Sequence, residues 1–372
     1  MTGGLNLFVK RFPFLDWMRG VAVLVMIQCH TFNSLTRLDL RDGGPYVLSQ
    51  FVGGMAAPLF LFMAGMTSAF QMDGWERRGL NPLRRWRLAL GRAGYILAIA
   101  FAFRISNWMG SLSGGNWHEV FKVDILNCMG VAMALFAPVA GVSRANRARV
   151  AASVALAVAL ASPILANLNW DAAPTLLREY LVPIPGRGHF PLFPCAAYLG
   201  FGLALGAIVK QSIEQHFERL MQWSVLAGFG LVFAGQYFAN LPYSVYPKSN
   251  FWSDSPALVL IRFGIMLVLM AASSLWTEYW ARTRWSWVIV LGKNSLMVYW
   301  VHVVLVYGAL AKPFKRTMSI PQTTLATAFV IALMLALSLA WLRWKGGRSR
   351  LQLAVEKTPA PASAAAALPE SG

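Results

Sequence analysis

The chain has 372 residues, of which 57% are hydrophobic and 13% charged, and its formal net charge is +18. A soluble domain carries roughly 25% charged residues, so half the usual polar coat is missing and an ordinary soluble fold is excluded. The positive balance does not indicate nucleic acid: no basic–aromatic RNA-binding signature is present, and Arg and Lys sit in short clusters flanking apolar runs, as topology signals do.

Only helices or closed barrels satisfy their own backbone inside hydrocarbon. The apolar runs are about twenty residues long and lack strict alternation, which predicts an all-α, polytopic membrane bundle and excludes a barrel. In chain order they predict ten spans, at 14–36, 47–70, 86–107, 121–141, 148–167, 190–210, 221–239, 256–276, 286–310 and 322–343. The first run contains Asp16 and Arg19 with no small-residue cleavage site after it, so it reads as a retained helix and not a signal peptide. Loops after even-numbered spans carry Arg77, Arg78, Arg84, Arg85, Arg87, Arg144, Arg147, Arg149, Lys210, Arg219, Arg282 and Arg284. With the two ends, that side holds nineteen basic residues against eight on the other, which predicts cytoplasmic termini in a bacterial inner membrane. Residues 1–343 form one expected membrane domain, and 344–372 a basic, then Pro/Ala-rich, disordered tail. Two loops on the opposite side, 168–189 and 240–255, are rich in Pro, Trp and Tyr, which suits binding loops and interfacial anchoring equally. Cys29, Cys128 and Cys195 lie in apolar stretches at unrelated spacings and read as packing residues, with no metal site implied.

Ionisable groups inside a bilayer are costly, so each is a candidate for function. In "FLDWMRGVAVLVMIQCH", Asp16, Arg19, Val23, Met26 and His30 recur at steps of three and four and share one helix face. Asp16 to His30 is a rise of ~21 Å, most of the hydrocarbon thickness. An Asp16–Arg19 ion pair that merely anchors the helix is the simpler reading of those two residues. Across the other helices the polar groups sort into two layers. The inner layer holds Asp16, Arg19, Arg92, Lys293, Asn294 and Ser295; its basic character suits a phosphate-bearing ligand. Arg92 also fits simple snorkelling. The outer layer holds His30, Arg104, Asn107, Lys122, Asp124, Asn127, His189, Asp254 and Arg262, with Trp252 in the adjoining loop; His and Asp there suit proton transfer. Arg104 and Asp124 are the expected structural pair. His302 falls between the layers, on one face with Ser295 and Tyr299. No P-loop, GxGxxG, GxSxG or His/Cys metal spacing occurs.

The first helix, "FPFLDWMRGVAVLVMIQCH", resembles the opening motif of integral-membrane sugar acyltransferases, D-x-x-R-G-x-A with a His near the helix end. "APLFLFMAGMTSAF", "FPLFPCAAYLGFGLALG" and "LGKNSLMVYWVHVVLVYG", with "VDILNCMGVAMAL" more weakly, are similar to the heparan-α-glucosaminide N-acetyltransferase branch and its bacterial relatives, over the first nine helices. The resemblance implies an acyltransferase that takes acetyl-CoA from the cytoplasm and acylates a saccharide hydroxyl or amine on the opposite side. Asp16, Arg19 and Gly20 match the opening motif, His30 the helix-end histidine, and Asn294, Ser295 and His302 the ninth-helix motif. The motif around the lysosomal enzyme's catalytic His, in the loop after its first helix, has no counterpart here; His30 is the nearest candidate.

On this reading Arg19, Lys293, Asn294, Ser295 and Arg92 hold the donor's phosphates. His30 is general base or acylated nucleophile, His302 or Arg262 polarises the thioester carbonyl, and Asp16 is a further catalytic candidate. Asp124, Asn127, His189, Asp254 and Trp252 line the acceptor site. The expected partners are acyl-CoA, a saccharide acceptor and membrane lipid, with a homodimer allowed for. The rival is a secondary transporter or exporter of a small or lipid-linked saccharide, using the same buried charges as its path; the lack of an inverted repeat or of short broken helix pairs weighs against it.

Overall fold

The structure is a computed structural model that describes residues 12–110, 117–184, 190–212, 216–243, 245–280 and 285–357. Among these residues it is all helix and turn, without a strand. The helices are α1 (Pro13–Leu35), α2 (Gly44–Gly53), α3 (Ala56–Arg77), α4 (Pro82–Gly110), α5 (Ile125–Phe136), α6 (Arg144–Ala166), α7 (Thr175–Leu181), α8 (Leu192–Ser212), α9 (Phe217–Ala239), α10 (Pro256–Tyr279), α11 (Trp287–Lys293), α12 (Ser295–Tyr307) and α13 (Ile320–Lys357). Their starts follow local chemistry. Proline occupies the first turn of α1 and α10, where no N–H is needed. Asn81 Oδ1 accepts from the Arg84 N–H at the head of α4. At α5, Asp124 and Asn127 form a reciprocal capping box.

Each expected span coincides with a helix or a pair of helices, but they are not alike. Among the described residues six helices are long and apolar enough to cross a membrane: α2 running into α3, then α4, α6, α8, α10 and α13. The expected ninth span is broken instead, a short broken helix pair that removes the supposed lack of one as an argument against a transporter. α11 and α12 meet at Asn294 with a bend of 87°, and count as a seventh crossing only if taken together. This bundle, with its large apolar side chains turned outward along α4, α9 and α13, is that of an integral membrane protein. α13 runs on through Lys357, past the domain boundary expected at 343.

α8 is the axis of the bundle. Of its most apolar window 78% is buried, against 22% for α4 and α13, which therefore form the perimeter. Small residues make this possible. A Cβ on Gly65 of α3 would stand 2.0 Å from the Leu199 carbonyl oxygen, and one on Gly202 of α8 would stand 2.0 Å from that of Phe62. The two backbones touch, as small residues allow in membrane bundles.

One end of the bundle, where α1 begins, is tied by ions. Glu76 pairs with Arg85 at 2.8 Å and with Arg147, while Asp73 pairs with Arg77 at 2.9 Å and Arg144 at 3.1 Å. Three of these arginines, Arg85, Arg144 and Arg147, which the sequence offered as topology signals, are thus also a clamp joining α3, α4 and α6. The other end is closed by main chain. Residues 316–318 lie along the end of α1, with Arg37 N–H donating to the Met318 carbonyl and Met318 N–H to that of Leu35, each at 3.0 Å.

Candidate active site

The end of α1 near Leu35 borders a cavity of about 970 Å³. Its walls come from the far halves of α1, α4 and α12, the α2–α3 junction and the segment leading into α5. Exposed Asn33, Lys122 and Lys312 stand at its rim, and Met26, Phe60 and Tyr299 lie deeper. His30, Arg104, Asn107, Lys122 and Asp124, five members of the expected outer layer, line it together.

His30 is half-buried on α1 and His302 fully buried behind it on α12. His30 Nδ1 and His302 Nε2 are 2.9 Å apart, and His302 Nδ1 is 2.7 Å from the Val298 carbonyl oxygen. The rings are tilted by only 9° with centroids 5.1 Å apart. That separation is nearly the hydrogen-bond length plus two ring radii, so the bond runs in line through near-coplanar rings. One turn further along both helices, Ser34 Oγ donates to the Val306 carbonyl at 2.7 Å, which fixes the register of α1 on α12. The ring edge of Tyr307 meets His30 at 5.5 Å, and Tyr307 Oη accepts from Asn33 Nδ2 at 3.3 Å.

Asp124 has two tasks. It lines the cavity, yet its Oδ1 accepts from the N–H groups of Leu126 and Asn127 at the head of α5. Asn127 is fully buried and donates to Tyr180 Oη at 3.2 Å, away from the cavity wall. Arg262 sits behind the wall: its Nη2 comes within 3.1 Å of where a Cβ on Gly54 would stand. Asp254 organises its own loop, accepting from Ser249 Oγ at 2.7 Å and the Asn250 N–H at 2.9 Å. Trp252 is exposed and packs edge-on against Phe51 of α2. His189 lies outside the described residues.

The inner layer also assembles, at the opposite end of α1. Asp16 and Arg19 form an ion pair at 3.3 Å. α11 packs backbone to backbone on this turn: a Cβ on Gly292 would stand 1.8 Å from the Asp16 carbonyl oxygen, and one on Gly20 2.0 Å from that of Val288. Lys293, exposed, and Ser295, half-buried, are thereby held beside Asp16–Gly20. Asn294 is buried at the bend and donates to the Val290 carbonyl at 3.1 Å. Arg92 does not join them. It lines a separate crevice of about 10 Å³ with Ser68, Gln71 and Trp75.

Sequence reasoning passed over Asn33, Tyr307 and Cys29 in the cavity wall. Asn33 was within reach of it, because it falls one turn beyond His30 on the same stripe of α1. Among the described residues no group of three or more His, Cys, Asp or Glu could hold a metal ion.

A family model for the catalytic region of heparan-alpha-glucosaminide N-acetyltransferase matches residues 11–239, from the start of α1 to the end of α9. No curated protein matches the chain. The matched segment contains the opening motif with Asp16, Arg19, Gly20 and His30, and the α2–α3 and α4–α5 walls of the cavity. An all-α membrane bundle with that cavity and a family match over more than half its length leads to one conclusion: this chain belongs to the heparan-alpha-glucosaminide N-acetyltransferase family of membrane acetyltransferases.

Proposed function

We propose that the chain takes the acetyl group of acetyl-CoA at the end where α1 begins and transfers it to a saccharide hydroxyl or amine in the 970 Å³ cavity. The observation that carries this reading is His30: the histidine of the opening motif lines the cavity, and its Nδ1 is engaged by His302. The proposed membrane has ten crossings with both termini cytoplasmic, so that the cavity opens outward. Arg19 and Lys293, with Asn294 and Ser295 beside them, fit the donor's phosphates, since they gather basic charge and polar groups on one turn of α1. From Arg19 to His30 is a rise of about 16 Å along α1, which the extended arm of coenzyme A can span.

In the chemistry proposed, His30 Nε2 takes the proton of the acceptor's O–H or N–H as that atom bonds to the thioester carbonyl carbon. When the C–S bond breaks, the same nitrogen returns the proton to sulfur, leaving an acetylated sugar and free thiol. Asn33, Tyr307, Arg104 and Lys122 line the space the acceptor would occupy. His302 and Arg262 lie behind the wall, which favours a supporting part for both over direct contact with the carbonyl.

The test is release of thiol from acetyl-CoA by the purified protein in nanodiscs, with amino sugars offered as acceptors. His30→Ala is expected to lower the rate by roughly 10²–10⁴ without loss of the folded state. Wild-type turnover in that variant ends the assignment of His30. Saccharide flux in proteoliposomes with no thiol release would favour the transporter. An acetyl group on the protein after incubation with donor alone would assign the covalent course.

A further inference from the structure

The bond from His302 to Val298 decides more than the position of one ring. A carbonyl oxygen only accepts, so the 2.7 Å contact requires the proton of neutral His302 to be on Nδ1. Its Nε2 is then bare and must accept. The 2.9 Å contact with His30 in turn requires a proton on His30 Nδ1, which leaves His30 Nε2 without one. A single backbone carbonyl thus sets two tautomers in succession, ending at the nitrogen that the transfer reaction needs. Among the described residues no carboxylate hydrogen-bonds to His30, so nothing else performs this office. His302 is fully buried, and the register of its helix on α1 is pinned by Ser34.

We propose that His302 is the positioning residue of His30, holding it in the Nδ1-protonated tautomer and sharing the positive charge when Nε2 takes up a proton. The arrangement does with a second imidazole what an aspartate does behind the histidine of a serine protease triad. The proton stays on His30 Nδ1 throughout; Nε2 gains one from the acceptor and gives it to the thiolate, so nothing is left over. The part in catalysis rests on the reading of His30 as base, whereas the tautomer does not.

The experiment uses the full chain in nanodiscs with 15N-labelled histidine, and His30→Gln to assign the His30 signals. Wild-type His30 is expected to show a protonated Nδ1 and a bare Nε2. In His302→Leu the His30 signal should move to, or exchange with, the Nε2-protonated form, and kcat for acetyl transfer should fall roughly 10²-fold or more with KM for acetyl-CoA within about threefold. His302→Gln puts a carbonyl oxygen near the place of Nε2 and should restore the Nδ1-protonated form and much of kcat. A wild-type His30 protonated on Nε2 overturns the proposal even if every His302 variant fails to fold. So does an unchanged tautomer with unchanged kcat in His302→Leu. Full activity in His30→Ala would remove the catalytic reading alone, because the nitrogen signals would still report the pairing.

Discussion

Glu76 holds Arg147, which is 1% exposed, and Arg85, which is 6% exposed, so its carboxylate neutralises charge that water cannot reach. Removing one partner of a buried pair leaves the other uncompensated, which outweighs the modest net value of the pair itself. Glu76→Gln is therefore expected to destabilise the protein by about 3 kcal/mol, seen as a fall in Tm in detergent. Asp39→Asn breaks a pair with Arg37 that is exposed on both sides, and should leave Tm where it was. Equal shifts in the two variants would contradict the burial argument. The sequence displayed these arginines as topology signals because charge alone is visible there, while Arg147 and Glu76 are 71 residues apart on different helices. The same holds for His30 and His302, 272 residues apart: periodicity put each on a polar face, but no periodicity states that the faces meet. Asp124 shows the opposite case. Its capping pattern with Asn127 is local and readable, and the structure uses it so, within the cavity wall.

At the scale of elements, the contact of α3 with α8 depends on the absence of side chains. Gly202→Ala would drive a methyl group into the Phe62 carbonyl, and backbone cannot move aside as a rotamer can. A loss of about 2 kcal/mol or more is expected. Gly230 on α9 has nothing within 4 Å of its would-be Cβ, so Gly230→Ala should be neutral or gain up to ~1 kcal/mol from helix propensity. Thermal unfolding of both variants in the same detergent checks the contrast. Run length and hydropathy were enough to locate the long helices, since both depend only on neighbours in sequence, but not the short α7 inside the expected 168–189 loop. They did not reveal the 87° bend at Asn294, because an apolar run reads the same whether straight or folded back. Gly292 and Asn294 are weak breakers by themselves; what fixes the break is α11 lying on α1, a tertiary contact.

For the whole molecule, the membrane class was legible from composition, whereas the orientation is a proposal that labelling can test. In intact cells, with Cys29 replaced by Ser, an impermeant maleimide should label Lys312→Cys at the cavity rim and miss Arg84→Cys at the ionic end. The reverse pattern would invert the proposed topology. Sidedness then has an electrical consequence. In the proposed orientation a cavity that reaches Met26 leaves a thinner insulating layer beneath it, and a membrane that stores energy as a voltage tolerates no leak there. Beneath it α1 and α11 meet main chain to main chain at Gly20 and Gly292, with the Val288 side chain against Gly20, and this contact is proposed as the seal. Gly20→Val should therefore do more than disturb packing: proteoliposomes holding that variant should dissipate an imposed proton gradient that the native protein preserves.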